Sequence, residues 1–282
     1  MGNEKARHRL AFKLAREYLL GFRDEGVTPQ VLKKYGNPNP NNRASTLSGI
    51  YRGILSSAQN SNMKSGVVGM AIGGFDNLGR VLDGFSPSKV IAKYGDDWKA
   101  LLGDIEKRLH PAGKIRKTKR SIWPNFCKCI LSSARFMVQF KNAQDFYGWV
   151  SFFNRDARSR MSLPLLMSAE IHGVGFALAC DFLKELGFSG YPKPDIHLRK
   201  IFEGIGFCPK GSNDLRICRE IVSLAKDAGV TPYEADKVFW LVGSGKFYLD
   251  EETVGTGGKV RTNRTRFIRM ARRDIEKRLG RN

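Results

Sequence analysis

The stretch from Leu163 to Arg199 constrains the chain more than any other. It reads LPLLMSAEIHGVGFALACDFLKELGFSGYPKPDIHLR. An apolar run of helical character meets a tight Gly173-Val174-Gly175 turn, a second amphipathic run follows, and a Pro-rich approach leads to Asp195. Glycine permits a compact turn and close approach by another molecule. The second helix starts directly after the turn, so its unpaired N–H groups and the positive end of its dipole face the same corner. Such a corner suits a phosphate. Phe176, Ala179, Cys180, Leu183 and Leu186 make the apolar stripe of that helix, and Val174 is expected to plug the joint. Taken alone, the same residues fit an ordinary helical hairpin closed by glycines.

Asp195 follows Pro192-Lys193-Pro194, and the prolines stiffen the approach and suppress helix before it. Ile196-His197-Leu198-Arg199 then reads as helical, which makes Asp195 an N-cap. Backbone N–H bonds and the helix dipole are expected to keep it ionised. On the residues alone, Asp195 is either only a cap or a cap whose carboxylate also does chemistry. His197 reads as structural, and His172 as a cap or a surface contact.

Charge narrows the partner. The 282 residues carry 48 Lys and Arg against 27 Asp and Glu, a net +21. A field of that sign attracts polyanions, and counterion release from phosphates supplies binding energy. The competing reading, an anionic membrane surface, lacks an apolar amphipathic anchor. No run approaches the ~20 apolar residues of a membrane span. Lys13, Arg16 and Glu17 interrupt the first apolar residues, so no secretory signal is read, and the expected location is the cytoplasm or a nucleoid. Cys127, Cys129, Cys180, Cys208 and Cys218 lack the spacing of a zinc or iron–sulfur site, and their expected role is core packing.

Helical patterns dominate, so the expected class is all-α. Helices are expected over the first twenty residues, Asp96–Leu109, Ser121–Val138, Leu163–Ile171, Phe176–Leu186, Ile196–Ile205, Asp214–Ala228 and Pro232–Val242. Gly36–Asn42 is a turn-rich break, and the Gly-rich stretch Gly66–Gly84 has no assignment. The densest basic run is Lys114–Arg120, with Lys114, Arg116 and Lys117 as candidate backbone contacts; a second basic segment is the tail Lys259–Arg281. Trp123, Phe126, Tyr147 and Trp149 are prominent aromatics whose reading on the residues alone is core packing. Gly243-Ser244-Gly245-Lys246 resembles part of a P-loop, but Phe247 replaces the required hydroxyl residue and Trp240 the first glycine, so that reading is rejected.

Together, Gly173-Val174-Gly175 and Asp195-Ile196-His197-Leu198 resemble the helix-hairpin-helix (HhH-GPD) DNA glycosylase superfamily, which includes endonuclease III and the adenine, 8-oxoguanine and alkylpurine glycosylases. The resemblance covers about Ser121 to Gly245, with Trp240–Tyr248 as a closing segment, and says little about residues 30–115. It implies two helical lobes with a DNA-binding cleft between them. Residues 1–44 would supply a helix packing with the C-terminal lobe, 45–190 a bundle ending in the hairpin, and 191–282 the lobe carrying Asp195. It implies base flipping into a pocket for which Trp123, Phe126, Tyr147 and Trp149 are the candidate aromatic walls, N-glycosidic hydrolysis by Asp195, and double-stranded DNA held by the hairpin and Lys193. The expected state is a monomer without a catalytic metal, with K+ or Na+ at the hairpin turn. Backbone-cutting members carry a Schiff-base lysine at the second residue after the hairpin's last glycine; Ala177 stands here, which implies a monofunctional enzyme. Two alternatives stay open: a non-catalytic DNA-binding protein, and a bifunctional glycosylase/lyase using Lys193. The target base is not identified.

Overall fold

The computed structural model describes residues 2–38, 43–59, 66–118 and 121–280. Among them the chain is all-α, and β-pairing is limited to isolated bridges of Lys246 and Thr256 with Lys259. The chain divides into two compact units: Met1–Pro40 with Gly187–Asn282, and Asn41–Leu186.

The first unit begins with α1 (Gly2–Leu20) and α2 (Pro29–Gly36). The chain then builds the second unit from α3 (Leu47–Ala58), α4 (Val67–Ala71), α5 (Pro87–Tyr94), α6 (Trp98–Leu109), α7 (Ile122–Met137), α8 (Ala143–Arg155), α9 (Ser162–Glu170) and α10 (Phe176–Glu185). It returns to the first unit with α11 (Ile196–Ile205), α12 (Asp214–Ala228), α13 (Pro232–Ser244) and α14 (Arg264–Leu279).

In the second unit α7 is central. Trp123, Phe126, Ile130, Ala134 and Met137 recur every three or four residues and are all buried, and α3, α5, α6 and α9 pack against the helix. The Gly-rich stretch does not form one helix. Gly66, Gly73, Gly74 and Gly84 take positive φ and break it into α4 and a 3-10 turn at Phe75–Arg80, while Leu78, Val81 and Leu82 enter the core.

In the first unit α1 packs on α12, α13 and α14, and α2 on α13. Phe239 sits at the junction, with its ring 5.2 Å from Phe202, 6.4 Å from Phe12 and 6.4 Å from Phe267. The basic tail is not a loose arm. Phe267, Ala271 and Ile275 are buried at helical spacing, which turns Arg266, Arg269, Arg272, Arg273, Lys277 and Arg278 outward. Arg281 lies outside the described residues.

His8 fastens α1 to α12. Its Nε2 lies 2.8 Å from Glu220 Oε1 and its Nδ1 2.7 Å from Asp227 Oδ2, while Arg9 donates to the Asp227 carbonyl. Burial alone would lower its pKa; the bonds to Glu220 and Asp227 outweigh that and raise it above the ordinary 6.5. A group raised in this way stabilises the fold fully below its unfolded pKa, and the contribution fades as pH rises through the folded one. The melting temperature is therefore expected to fall as pH rises from about 6. His8→Gln should flatten that dependence and cost about 1–3 kcal/mol at pH 6. Scanning calorimetry of both proteins across pH checks this; parallel pH curves would contradict it.

Candidate functional site

Asp195 caps α11 from an extended backbone, with φ −76° and ψ −179°. Its Oδ1 accepts from the His197 N–H at 2.8 Å and from the Leu198 N–H at 3.0 Å. Both bonds go to one oxygen, Oδ1. The approach is rigid: Pro192 and Pro194 are buried, and the Lys193 N–H donates to Asp236 Oδ2 at 2.5 Å. Asp236 is 1% exposed on α13.

More than the cap bonds acts on the Asp195 carboxylate. Burial pushes its pKa up, the Leu198 amide pulls it down, and the Asp236 carboxylate pushes it up again; the net direction is upward. The cap bonds do not outweigh desolvation beside a second carboxylate. The result is a carboxylate with more than usual proton affinity, held half-buried at a helix start.

His197 packs beneath this cap. Its Nδ1 lies 3.1 Å from the Arg264 guanidinium of α14. Burial lowers its pKa, and Arg264 and Lys259 add to the lowering against the pull of Asp195. The lowered pKa favours the neutral ring. Gly243 permits the packing: a Cβ there would stand 2.6 Å from His197 Cβ and 2.9 Å from its Nδ1. The Gly243–Lys246 run thus closes α13, and opens no helix that could cradle a phosphate. Gly243→Ala is expected to cost about 1–3 kcal/mol by overpacking and to slow any chemistry that needs Asp195 in place. Gly148→Ala on α8, where a Cβ meets nothing within 4 Å, should instead gain about 0.5–1 kcal/mol. Urea denaturation of the two variants checks the pair; equal effects would contradict it.

Asp236 has no place among the sequence candidates, while Gly243 falls in a rejected phosphate loop and Arg264 in the basic tail, neither linked there to Asp195. Asp236 had a readable signal, a carboxylate directly before Lys237 at the edge of the apolar run Val238–Val242. The nearby Lys237 Nζ donates to Tyr248 Oη at 2.8 Å and lies 5.3 Å from the Tyr233 and Tyr248 ring centres.

In the other unit, Gly173-Val174-Gly175 joins α9 to α10. Val174 is buried and its N–H donates to the Ile171 carbonyl at 3.1 Å. Gly173 has φ +78°, a conformation that favours glycine. Gly175 is extended, with φ −76°, and needs no glycine for its backbone. Added Cβ atoms at either position would meet nothing within 4 Å. No side chain caps the first turn of α10. The His172 N–H donates to Ser132 Oγ at 3.0 Å and its Nε2 lies 3.2 Å from Asn125 Oδ1, so His172 ties the turn to α7. Ala177 stands on the first turn of α10 and offers no amine.

The four aromatics do not form one wall. Trp123 lines a cavity of about 530 Å³. Tyr147 lines another, donates to the Ala44 carbonyl at 2.9 Å and carries the Arg43 guanidinium 4.1 Å over its ring. Phe126 is buried in the core, and Trp149 packs among Phe136, Phe140, Phe146 and Phe153. Helical periodicity had marked the buried faces without separating these places. Lys114 and Arg116 are exposed, whereas Lys117 is bound to Glu106 at 2.9 Å; Lys119 and Arg120 lie outside the described residues. All five cysteines are buried thiols, and burial pushes the Cys129 thiol up to about 12. No described helix is long and apolar enough to cross a membrane.

No family model matches this chain, and no curated protein matches it. Two solved structures are similar in fold. One is an 8-oxoguanine glycosylase/lyase of Methanocaldococcus jannaschii in complex with a 15mer DNA containing 8-oxoguanine, at 13% identity and TM-score 0.49, covering 85% of this chain and 98% of that one. The other is the 8-oxoguanine DNA glycosylase of Thermotoga maritima, at 15% identity and TM-score 0.49, covering 84% and 99%.

Proposed function

We propose that this chain is a monofunctional DNA glycosylase that hydrolyses the N-glycosidic bond of an extruded base. The observation that carries the reading is Asp195: a half-buried carboxylate with raised proton affinity, fixed through one oxygen by a helix start. Breaking the bond builds positive charge on the sugar. A fixed carboxylate stabilises that charge and takes a proton from the water that attacks C1′, while the base departs with the bonding electrons. The target base must first leave the stack. The Gly173–Gly175 corner, with uncapped amides and open space around it, supports a grip on a DNA phosphate, and K+ or Na+ on its carbonyls would strengthen it. Net charge supports double-stranded DNA as partner. Ala177 supports the monofunctional form.

A panel of duplexes, each with one modified base, tests the reading: base release should appear on at least one, with strand breaks only after alkali. Borohydride should trap no protein–DNA adduct, since only an imine is reducible; a trapped adduct would point to an amine such as Lys193. Release should also weaken as pH falls, because protonated Asp195 neither balances charge nor accepts a proton. Its raised pKa places that loss at a higher pH than the ordinary aspartate value of 3.8. Single-turnover rates against pH check this, and a rate still undiminished at pH 4 would contradict it.

A further inference from the structure

The cavity lined by Trp123 carries features that the chemistry at Asp195 does not use. Val67, Val68 and Ala71 of α4 and Ile122 and Trp123 of α7 give it apolar walls. The segment after α6 closes it, and the Ala112 N–H ties that segment to the Ala71 carbonyl at 2.6 Å. Lys114 and Arg116 stand on this segment at the cavity, exposed, without a carboxylate partner among the described residues. The neighbouring Glu106 is already taken by Lys117. The cavity also meets the start of α7, whose first turn has no side-chain cap. Ser121 Oγ there is held 2.6 Å from Thr118 Oγ1.

An apolar slot with an indole wall suits a flat, uncharged ring. Two unpaired cations and a positive helix end at its mouth suit a phosphate joined to that ring. About 530 Å³ lies within the range of small-molecule sites. We propose that this cavity binds one nucleotide, with the base against Trp123 and the 5′-phosphate held by Lys114 and Arg116. The site belongs wholly to the Asn41–Leu186 unit and stands independently of the reading of Asp195.

The test titrates the full chain with 2-aminopurine deoxyribonucleoside 5′-monophosphate, whose fluorescence is quenched on stacking. Saturable quenching is expected. The double variant Lys114→Gln/Arg116→Gln should weaken it by about tenfold or more, and the nucleoside without phosphate should bind the parent as weakly. Both substitutions are at exposed positions, so the fold should persist, as a melting curve would verify. Trp123→Leu should abolish the quenching; should it fail to fold, the charge variant still decides. Asp195→Asn should bind as the parent does. Undiminished binding by the charge variant, equal binding of nucleoside and nucleotide, or loss of binding only in Asp195→Asn would overturn the proposal. So would capture of phosphatidylglycerol vesicles in place of the nucleotide. Nucleotide binding without base release would leave this site standing and remove the glycosylase reading.

Discussion

Asp195→Asn should lower the single-turnover rate of base release by about 10²–10⁴-fold while leaving duplex binding within a few-fold of the parent. The substitution isolates the charge. Asparagine caps a helix about as well as aspartate, so the His197 and Leu198 N–H groups keep an acceptor. What disappears is the anion facing the cationic sugar and the acceptor for the water proton. Burial also raises the Asp195 pKa, so its ionised form weakens the fold above that pKa. Asp195→Asn should therefore be as stable as the parent at pH 7, or more so. Calorimetry beside the rate measurement reads both sides. A variant that lost activity together with several degrees of melting temperature would make Asp195 a structural cap. Undiminished release would make the chain a DNA-binding protein whose chemistry lies elsewhere.

Phe239→Ala should destabilise the first unit by about 3–5 kcal/mol. Phe239 is fully buried on α13 and meets Phe12 of α1, Phe202 of α11 and Phe267 of α14. Its loss leaves a cavity where segments from both ends of the chain converge, and surrounding rings refill such a space only in part. Because α13 also carries Asp236 and Gly243, activity should fall with the unfolding. Denaturant titration by circular dichroism gives the number; a cost below about 1 kcal/mol would show that the four helices do not share one core.

The parts of the fold that were legible are those with punctuation at both ends. α11 and α12 have their expected bounds because Asp195 and Asn213 cap them and Gly206 and Gly229 stop them in left-handed turns. α3 was missed because Gly49 and Gly53 lower its helix propensity; packing explains Gly49, where a Cβ would stand 2.9 Å from Ala44 Cβ. α2 and α5 escaped notice at eight residues each, although both begin with proline. At the site, the motif gave Asp195 and the hairpin turn. It could not give the proton affinity of Asp195, which depends on burial and on Asp236, 41 positions along the chain. Nor could it separate Trp123 from Tyr147, because a buried face on a helix does not say which cavity lies beyond it.

In the proposed reaction the Asp195 carboxylate balances positive charge on the sugar. Affinity for duplex DNA carrying a pyrrolidine cation in place of the target sugar tests it most directly, measured against DNA carrying neutral tetrahydrofuran. The parent should prefer the cation by about 100-fold or more, and Asp195→Asn should erase that preference. An equal preference in the two proteins would contradict the account.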